Sequence, residues 1–154
     1  MIIEGEFHVH TSIQHTWGFL TNIKEVASCI RGCQKVEVLD DRNFAITISQ
    51  KVGPVSATFE TWIRFEDTQP CSHLTAVGKG KDTLMGSSFG FTNHVNLVCL
   101  AERETLLKYK ADVKISGRLA SVGQSLIKMI VKKEVDQAFI VMQSKIEEQM
   151  HEEF

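Results

Sequence analysis

Between Val36 and Ile115 the chain alternates apolar and polar side chains in run after run, and then changes its period once. Val36 and Val38 are followed by Phe44, Ile46 and Ile48, which alternate with Ala45, Thr47 and Ser49. Val55, Ala57, Phe59, Thr61, Ile63 and Phe65 oppose Ser56, Thr58, Glu60, Trp62, Arg64 and Glu66. Pro70 precedes a run from Ser72 to Lys81, and the Gly/Ser-rich stretch Gly86–Gly90 leads into Phe91–Leu100. The cleanest alternation sets Thr105, Leu107, Tyr109, Ala111, Val113 and Ile115 against Leu106, Lys108, Lys110, Asp112 and Lys114. Period two is the mark of strands with one buried face. Turn signals at Asp40–Asn43, Gly53–Pro54 and near Glu102 separate the runs, so the strands form an antiparallel meander. Beyond Gly117 the period becomes helical, with Ile127, Val131, Val135, Ala138, Phe139, Met142 and Ile146 at steps of three and four. This predicts one long amphipathic helix from about Leu119 to Met150. An apolar sheet face must be covered, and this helix is the only long element left to cover it.

The N-terminal segment adds one more strand. Ile3, Gly5, Phe7 and Val9 face one way and Glu4, Glu6, His8 and His10 the other. Thr11 and Ser12 offer N-cap oxygens. Two short helical patterns follow, one with Ile13, Trp17 and Leu20, the other with Ile23, Val26, Ala27 and Ile30, the second ending at Gly32 as a C′ residue. The order is strand, two short helices, about six strands and one long helix. A strongly curved sheet of about seven strands wrapped around that helix is the predicted α+β fold. With 154 residues, one domain over 1–154 is expected.

Several function classes lose their footing. Lys plus Arg number 17 and Asp plus Glu 19, so no global positive field exists to grip nucleic acid. The apolar-rich run Leu126–Val131 is far below the roughly 20 residues a bilayer requires, and the N-terminus lacks an export signal. A cytoplasmic location follows, and with it reduced thiols at Cys29, Cys33, Cys71 and Cys99. His8 and His10 share the polar face of the first strand, with His15 just beyond, and the sequence places no third ligand beside such a pair, so no metal is expected. His73 and His94 sit in neighbouring strands without an evident nucleophile. Hydrolase, kinase and zinc-protease motifs are absent, and Gly86–Gly90 precedes a strand, not a helix that would cradle phosphate. No cofactor is expected. Lys128, Lys132 and Lys133 on the last helix offer at most a peripheral membrane contact.

The apolar strand face carries Gly5, Ala57, Ala76, Gly78, Gly80 and Ala111. Small residues beneath one helix predict either a closely docked helix or a hollow, and the residues alone leave both open. Gly78 in particular is read as lying under the helix, its missing side chain leaving room. Tyr109, Thr61, Thr105 and Asn93 supply polar groups on that face. They would orient a ligand, or else bond to backbone or water. No Asp or Glu falls on it, which disfavours acid–base catalysis there.

Local strings add a resemblance. Cys29-Ile30-Arg31-Gly32-Cys33 is similar to the C-I-P-G-C of the carbon monoxide dehydrogenase G-subunit family, with Arg31 in place of the proline. Trp17 stands where that family has its helix tryptophan. Val52-Gly53-Pro54-Val55 with Phe59, Gly78-x-Gly80, Thr105-x-Leu107-x-Tyr109-x-Ala111, Gly117-x-Leu119-Ala120-x-x-Gly123 and Phe139 follow in the family's order. The resemblance implies the helix-grip fold of the START-related superfamily of polyketide cyclases and lipid-transfer domains. It also implies a deep cavity between sheet and long helix for a lipophilic, lipid- or quinone-like molecule. On that reading the cavity is lined by Phe59, Thr61, Ile63, Ala76, Gly78, Phe91, Asn93, Val95, Leu107, Tyr109, Ala111, Ile127, Val131, Val135 and Phe139. The implied role is a non-catalytic carrier accessory to a molybdenum-containing carbon monoxide dehydrogenase or hydroxylase at the inner face of the membrane. The alternative is a cyclase- or hydrolase-type enzyme in the same cavity. Family members proposed as membrane anchors carry a hydrophobic C-terminal tail. This chain ends in the charged Gln149–Phe154, which predicts against stable anchorage. A homodimer stays open.

Overall fold

The computed structural model describes residues 1–52, 55–82, 84 and 86–152. Strand β1 spans Ile2–Val9, followed by helices α1, Ile13–Leu20, and α2, Ile23–Ser28. Strands β2 to β7 are Cys33–Val38, Asn43–Val52, Val55–Gln69, His73–Asp82, Ser87–Ala101 and Glu104–Ser116. A 3-10 turn, Gly117–Val122, leads into α3, Gln124–Glu152. The seven strands form one antiparallel sheet in the order β1-β7-β6-β5-β4-β3-β2. The meander and the α+β architecture are as the periodicity predicts.

Local chemistry explains the helix starts. The Ser12 side chain caps α1 by accepting from the His15 N–H at 3.1 Å, and Asn22 caps α2 through the Glu25 N–H at 3.4 Å. Helix α2 ends at Ser28 with Cys29 as its C-cap. Gly32 is therefore not its C′ residue but part of the turn into β2. The Gly53–Pro54 turn lies outside the described residues.

Two boundaries differ from expectation. Strand β6 begins at Ser87, not at Phe91: Ser87 pairs with Asp82 and Phe89 with both Gly80 and Ile115. Ladder bonds on both sides satisfy its backbone more fully than a loop would. The long helix begins at Gln124, not Leu119, because Gly123 takes φ 104°, outside helical space. The preceding turn is fixed by the Leu119 N–H, which donates to Ser87 Oγ at 2.9 Å.

Register places Ile46, Thr61, Gly80, Phe89 and Ile115 in one row of the inner face. The next row is Phe44, Ile63, Gly78, Phe91 and Val113. A side chain built at Gly78 would overlap the Phe91 ring, and one at Gly80 the Phe89 ring. The space over these glycines is thus taken up, contrary to the expectation for Gly78, because aromatic rings from β6 reach across β5. Glycine weakens a strand, and a ring laid over it recovers buried apolar contact. Helix α3 runs along β1. Lys132 Nζ donates to Glu4 O at 2.9 Å, Gln143 Nε2 to His8 O at 2.8 Å, and the His10 N–H to Glu147 Oε1 at 3.0 Å. These contacts cover the edge strand's free groups.

Gly78→Ala is expected to destabilise by about 1–3 kcal/mol, because its Cβ displaces the Phe91 ring. Urea unfolding measures this, and adding Phe91→Leu should recover part of the loss. An unchanged midpoint in Gly78→Ala would show that the ring is not seated there.

Candidate functional site

The inner face of the sheet, looked at from α3, is apolar with a few polar interruptions. Phe59, Thr61, Val95, Leu107, Tyr109 and Ile127 are buried. Gly78 is buried as well. Ile63, Ala76, Phe91, Asn93 and Ala111, together with Val131, Val135 and Phe139 of α3, are only half-buried. The register brings all the strand residues of this set onto one face, with Phe65, Ala76, Asn93, Ala111 and Ile3 forming a third row. Burial is gathered into separate clusters. One lies between β1, β6, β7 and the helices. A second is built on Ala57, Phe59, Leu119 and Ile127, and a third on Ile23, Phe44, Phe65 and Leu74. The half-buried side chains pack at the margins of these clusters.

The four polar candidates divide cleanly. Thr105 Oγ1 donates to Thr11 O at 3.0 Å, and so ties β7 to the start of α1. Tyr109 is also engaged: its hydroxyl accepts from Lys132 Nζ at 2.8 Å and donates to Asp136 Oδ1 at 3.3 Å. Lys132 donates to the same Asp136 oxygen at 2.9 Å and lies 5.2 Å from the Tyr109 ring centre. The ring stacks on Phe139 at 4.8 Å, and Phe139 on Phe7 at 4.7 Å. This Tyr109–Lys132–Asp136 group pins α3 to β7. In contrast, Thr61 Oγ1 and Asn93 Oδ1, like Thr11 Oγ1 and His15 Nε2 elsewhere in the chain, are buried atoms without a hydrogen-bond partner among the described residues. Such atoms are uncommon, and each asks for an explanation.

Two acids missed by the sequence reading reach this side of the molecule. Asp82 extends β5 by one residue, has the parity of Gly78 and Gly80, is buried, and accepts from the Leu84 N–H at 2.9 Å. Its inward position was hidden because the strand was expected to stop at Lys81. Asp136 lies four residues beyond Lys132 on α3, a spacing that signals such a pair.

The histidines are dispersed. His8 pairs with Glu104 at 3.5 Å, His73 with Asp67 at 3.2 Å, and His94 Nδ1 meets Thr75 Oγ1 at 3.0 Å, so His73 and His94 do not pair with each other. Among the described residues no three His, Cys, Asp or Glu side chains converge on a metal position. All four cysteines are free thiols, and burial pushes the Cys29 thiol pKa up. No helix among the described residues is long and apolar enough to cross a membrane.

Two hollows lie away from the inner face. One, of about 220 Å³, sits where the turn after α2 meets α3, beside the Arg31–Glu134 contact at 3.7 Å. The other, of about 710 Å³, lies on the outer face around Gly90.

An antiparallel sheet holding a long C-terminal helix, with two short helices after the first strand, is the helix-grip fold. Residues 5–147 match the CoxG family, that of the carbon monoxide dehydrogenase G subunit, and the chain belongs to that family. Among solved structures, a conserved protein from Geobacillus kaustophilus is similar at 18% identity, with TM-score 0.88 and 96% of each chain covered. The Zhui aromatase/cyclase from Streptomyces sp. R1128 is similar at 12% identity and TM-score 0.74, covering 97% of this chain and 95% of that one. A START superfamily protein from Mycobacterium smegmatis is similar at 12% identity and TM-score 0.74, covering 96% and 98%. These likenesses establish the fold. Comparison with curated proteins finds no match.

Tyr109 is the chain's single tyrosine, so tyrosinate absorbance reports on it alone. Burial raises its pKa above the ordinary 10.0, and Asp136 raises it further, while Lys132 lowers it. For Lys132, burial acts to lower the pKa, but its bonds to Tyr109 and Asp136 outweigh burial and raise it above 10.5. Both folded values exceed the unfolded ones. The stabilisation is therefore complete below about pH 10 and is lost as pH rises through the folded values. Tyrosinate should form with a midpoint above 10.0, higher still in Lys132→Met and lower in Asp136→Asn. A midpoint at or below 10.0 in the native protein would contradict the buried, hydrogen-bonded hydroxyl.

Proposed function

We propose that the chain is a non-catalytic carrier for a lipophilic, lipid- or quinone-like molecule, held between the inner sheet face and α3. The observation that carries this reading is the pair of buried, unpartnered polar atoms, Thr61 Oγ1 and Asn93 Oδ1. They interrupt a face whose central apolar side chains are half-buried. A carrier needs apolar walls and a small number of polar anchors that fix orientation, and these two atoms are available as anchors. The family's description supports service to a carbon monoxide dehydrogenase. We extend this to a molybdenum-containing complex on the cytoplasmic side, with at most peripheral membrane contact. The cyclase- or hydrolase-type alternative needs an acid or base free to reach a bound molecule. Asp82 is engaged with Leu84, and Asp136 with Lys132 and Tyr109, which favours the carrier.

Native mass spectrometry and organic extraction of the purified protein are expected to yield a lipophilic species. An environment-sensitive apolar dye should bind with Kd on the order of micromolar, about -8 kcal/mol. Thr61→Val removes an unsatisfied hydroxyl at nearly constant shape, so stability should hold or rise. Affinity for the extracted molecule should fall about tenfold, if each anchor is worth about 1.4 kcal/mol. Repeated extraction without a bound species, together with no saturable dye uptake, would remove the carrier reading.

A further inference from the structure

We propose that the hollow on the outer face of the sheet is a second binding site, one for a small anion that carries an aromatic ring. It is lined by Trp62, Lys79, Lys81, Ser88, Gly90 and Lys114, with Ser116 closing one side, and has a volume of about 710 Å³. That lies within the range of about 300–1,000 Å³ usual for ligand sites.

The ladder fixes its plan. Trp62, Lys79, Gly90 and Lys114 form one row across β4, β5, β6 and β7, and Glu60, Lys81, Ser88 and Ser116 form the next. Lys79 and Lys114 thus flank Gly90 from two strands apart, about 10 Å between their backbones by the usual sheet spacing. Lys81 stands diagonally, and the Ser88 and Ser116 hydroxyls are joined at 2.5 Å. Glu60 stands opposite Lys81, yet none of the three lysines enters an ion pair among the described residues. Three ammonium groups around one hollow, with Glu60 the acid opposite Lys81, leave a net positive charge that attracts an anion. The ring of Trp62, 41% exposed, offers a face for stacking.

Gly90 is what turns this cationic surface into a hollow, and the fold does not require it. Its φ is not positive, it sits in an unbroken stretch of both ladders, and a Cβ there would meet only Gly78 O at 3.7 Å. Gly78 and Gly80 are covered by rings; Gly90 is covered by nothing. A strand-interior glycine outside a bulge is one of the marks of a place where a ligand or another backbone comes close. The anionic group would lie over Gly90 between the three lysines, within reach of the serine hydroxyls, with its ring against Trp62. This site is on the opposite side of the sheet from the proposed carrier space, so the two stand or fall separately.

Calorimetric titration of the full chain with ATP, chosen as an aromatic polyanion, tests the proposal, with adenosine and tripolyphosphate as the separate parts. Saturable binding of ATP at one site, at least tenfold tighter than either part, is expected. Gly90→Val fills the hollow while keeping every charge, and Lys114→Gln removes a charge while keeping the hollow. Each should weaken ATP about tenfold or more and leave apolar-dye uptake on the inner face unchanged. No saturable ATP binding overturns the proposal. So does tripolyphosphate binding as tightly as ATP, or ATP binding that survives Gly90→Val in a folded protein, since either means attraction to a charged surface without a shaped site.

Discussion

The pairing of β1 with β7 is the constraint on which the rest of the structure depends. The first strand joins the last over eight residue pairs, from Ile2↔Asp112 to Val9↔Thr105, while β2 lies at the opposite edge of the sheet. The chain must therefore cross the whole sheet immediately after β1, and α1 and α2 are the elements that carry it across. They bury Phe19, Leu20, Ile23 and Ala27 and so occupy one part of the inner face. Helix α3 returns along β1, held there by Lys132, Gln143 and Glu147. The centre of the inner face is thus flanked by helices on different sides, and its side chains are left half-buried where no helix presses on them.

Aromatic rings decide what that centre is made of. Phe91 lies across Gly78, Phe89 across Gly80, and the Tyr109 ring comes within 2.8 Å of where a Gly5 Cβ would stand. Each ring fills from the next strand the space its own strand's neighbour leaves empty. Phe59 meets Phe89 edge-on at 5.1 Å, and Phe89 stacks towards Phe91 at 6.3 Å. The small residues therefore do not form a void in the sheet. They let a continuous aromatic floor lie close to the backbone, and any carried molecule would rest on that floor.

Much of this was legible in the residues. Parity alone assigns Phe59, Thr61, Ile63, Leu107, Tyr109 and Ala111 to one face, and the ladders agree because a strand's alternation survives whatever pairs with it. The interlock of Phe91 with Gly78 was not legible. It depends on the β5–β6 register, and that register depends on where β6 begins. A strand taken to begin at Phe91 leaves out the pairs Lys79↔Gly90 and Gly80↔Phe89. The same misreading concealed Asp82, one residue past the expected strand end. Parity places Tyr109 on the inner face, but its partners are not legible, because the Lys132–Asp136 pair is spaced for a helix surface and its approach to β7 is a tertiary fact. Which polar groups stay unpartnered, Thr61 and Asn93 as against Thr105 and Tyr109, is likewise settled only by neighbours distant in sequence.

The unpartnered Thr61 hydroxyl then carries a wider consequence. Leaving a buried polar group unsatisfied costs about 1–3 kcal/mol, a large part of the ordinary stability of a domain, about 5–15 kcal/mol. A valine of nearly the same shape would avoid that cost, and its flanking residues Ile46 and Gly80 place no hydrogen-bond partner opposite it in the ladder. Folding therefore gives no reason for a hydroxyl here. Thr105, one face but a different neighbourhood, shows the contrast, since its hydroxyl fixes the Thr11 carbonyl and its loss would leave that buried acceptor open. On the carrier reading proposed above, a group that stability does not explain, buried on the face that a lipophilic guest would occupy, would find its partner in the guest.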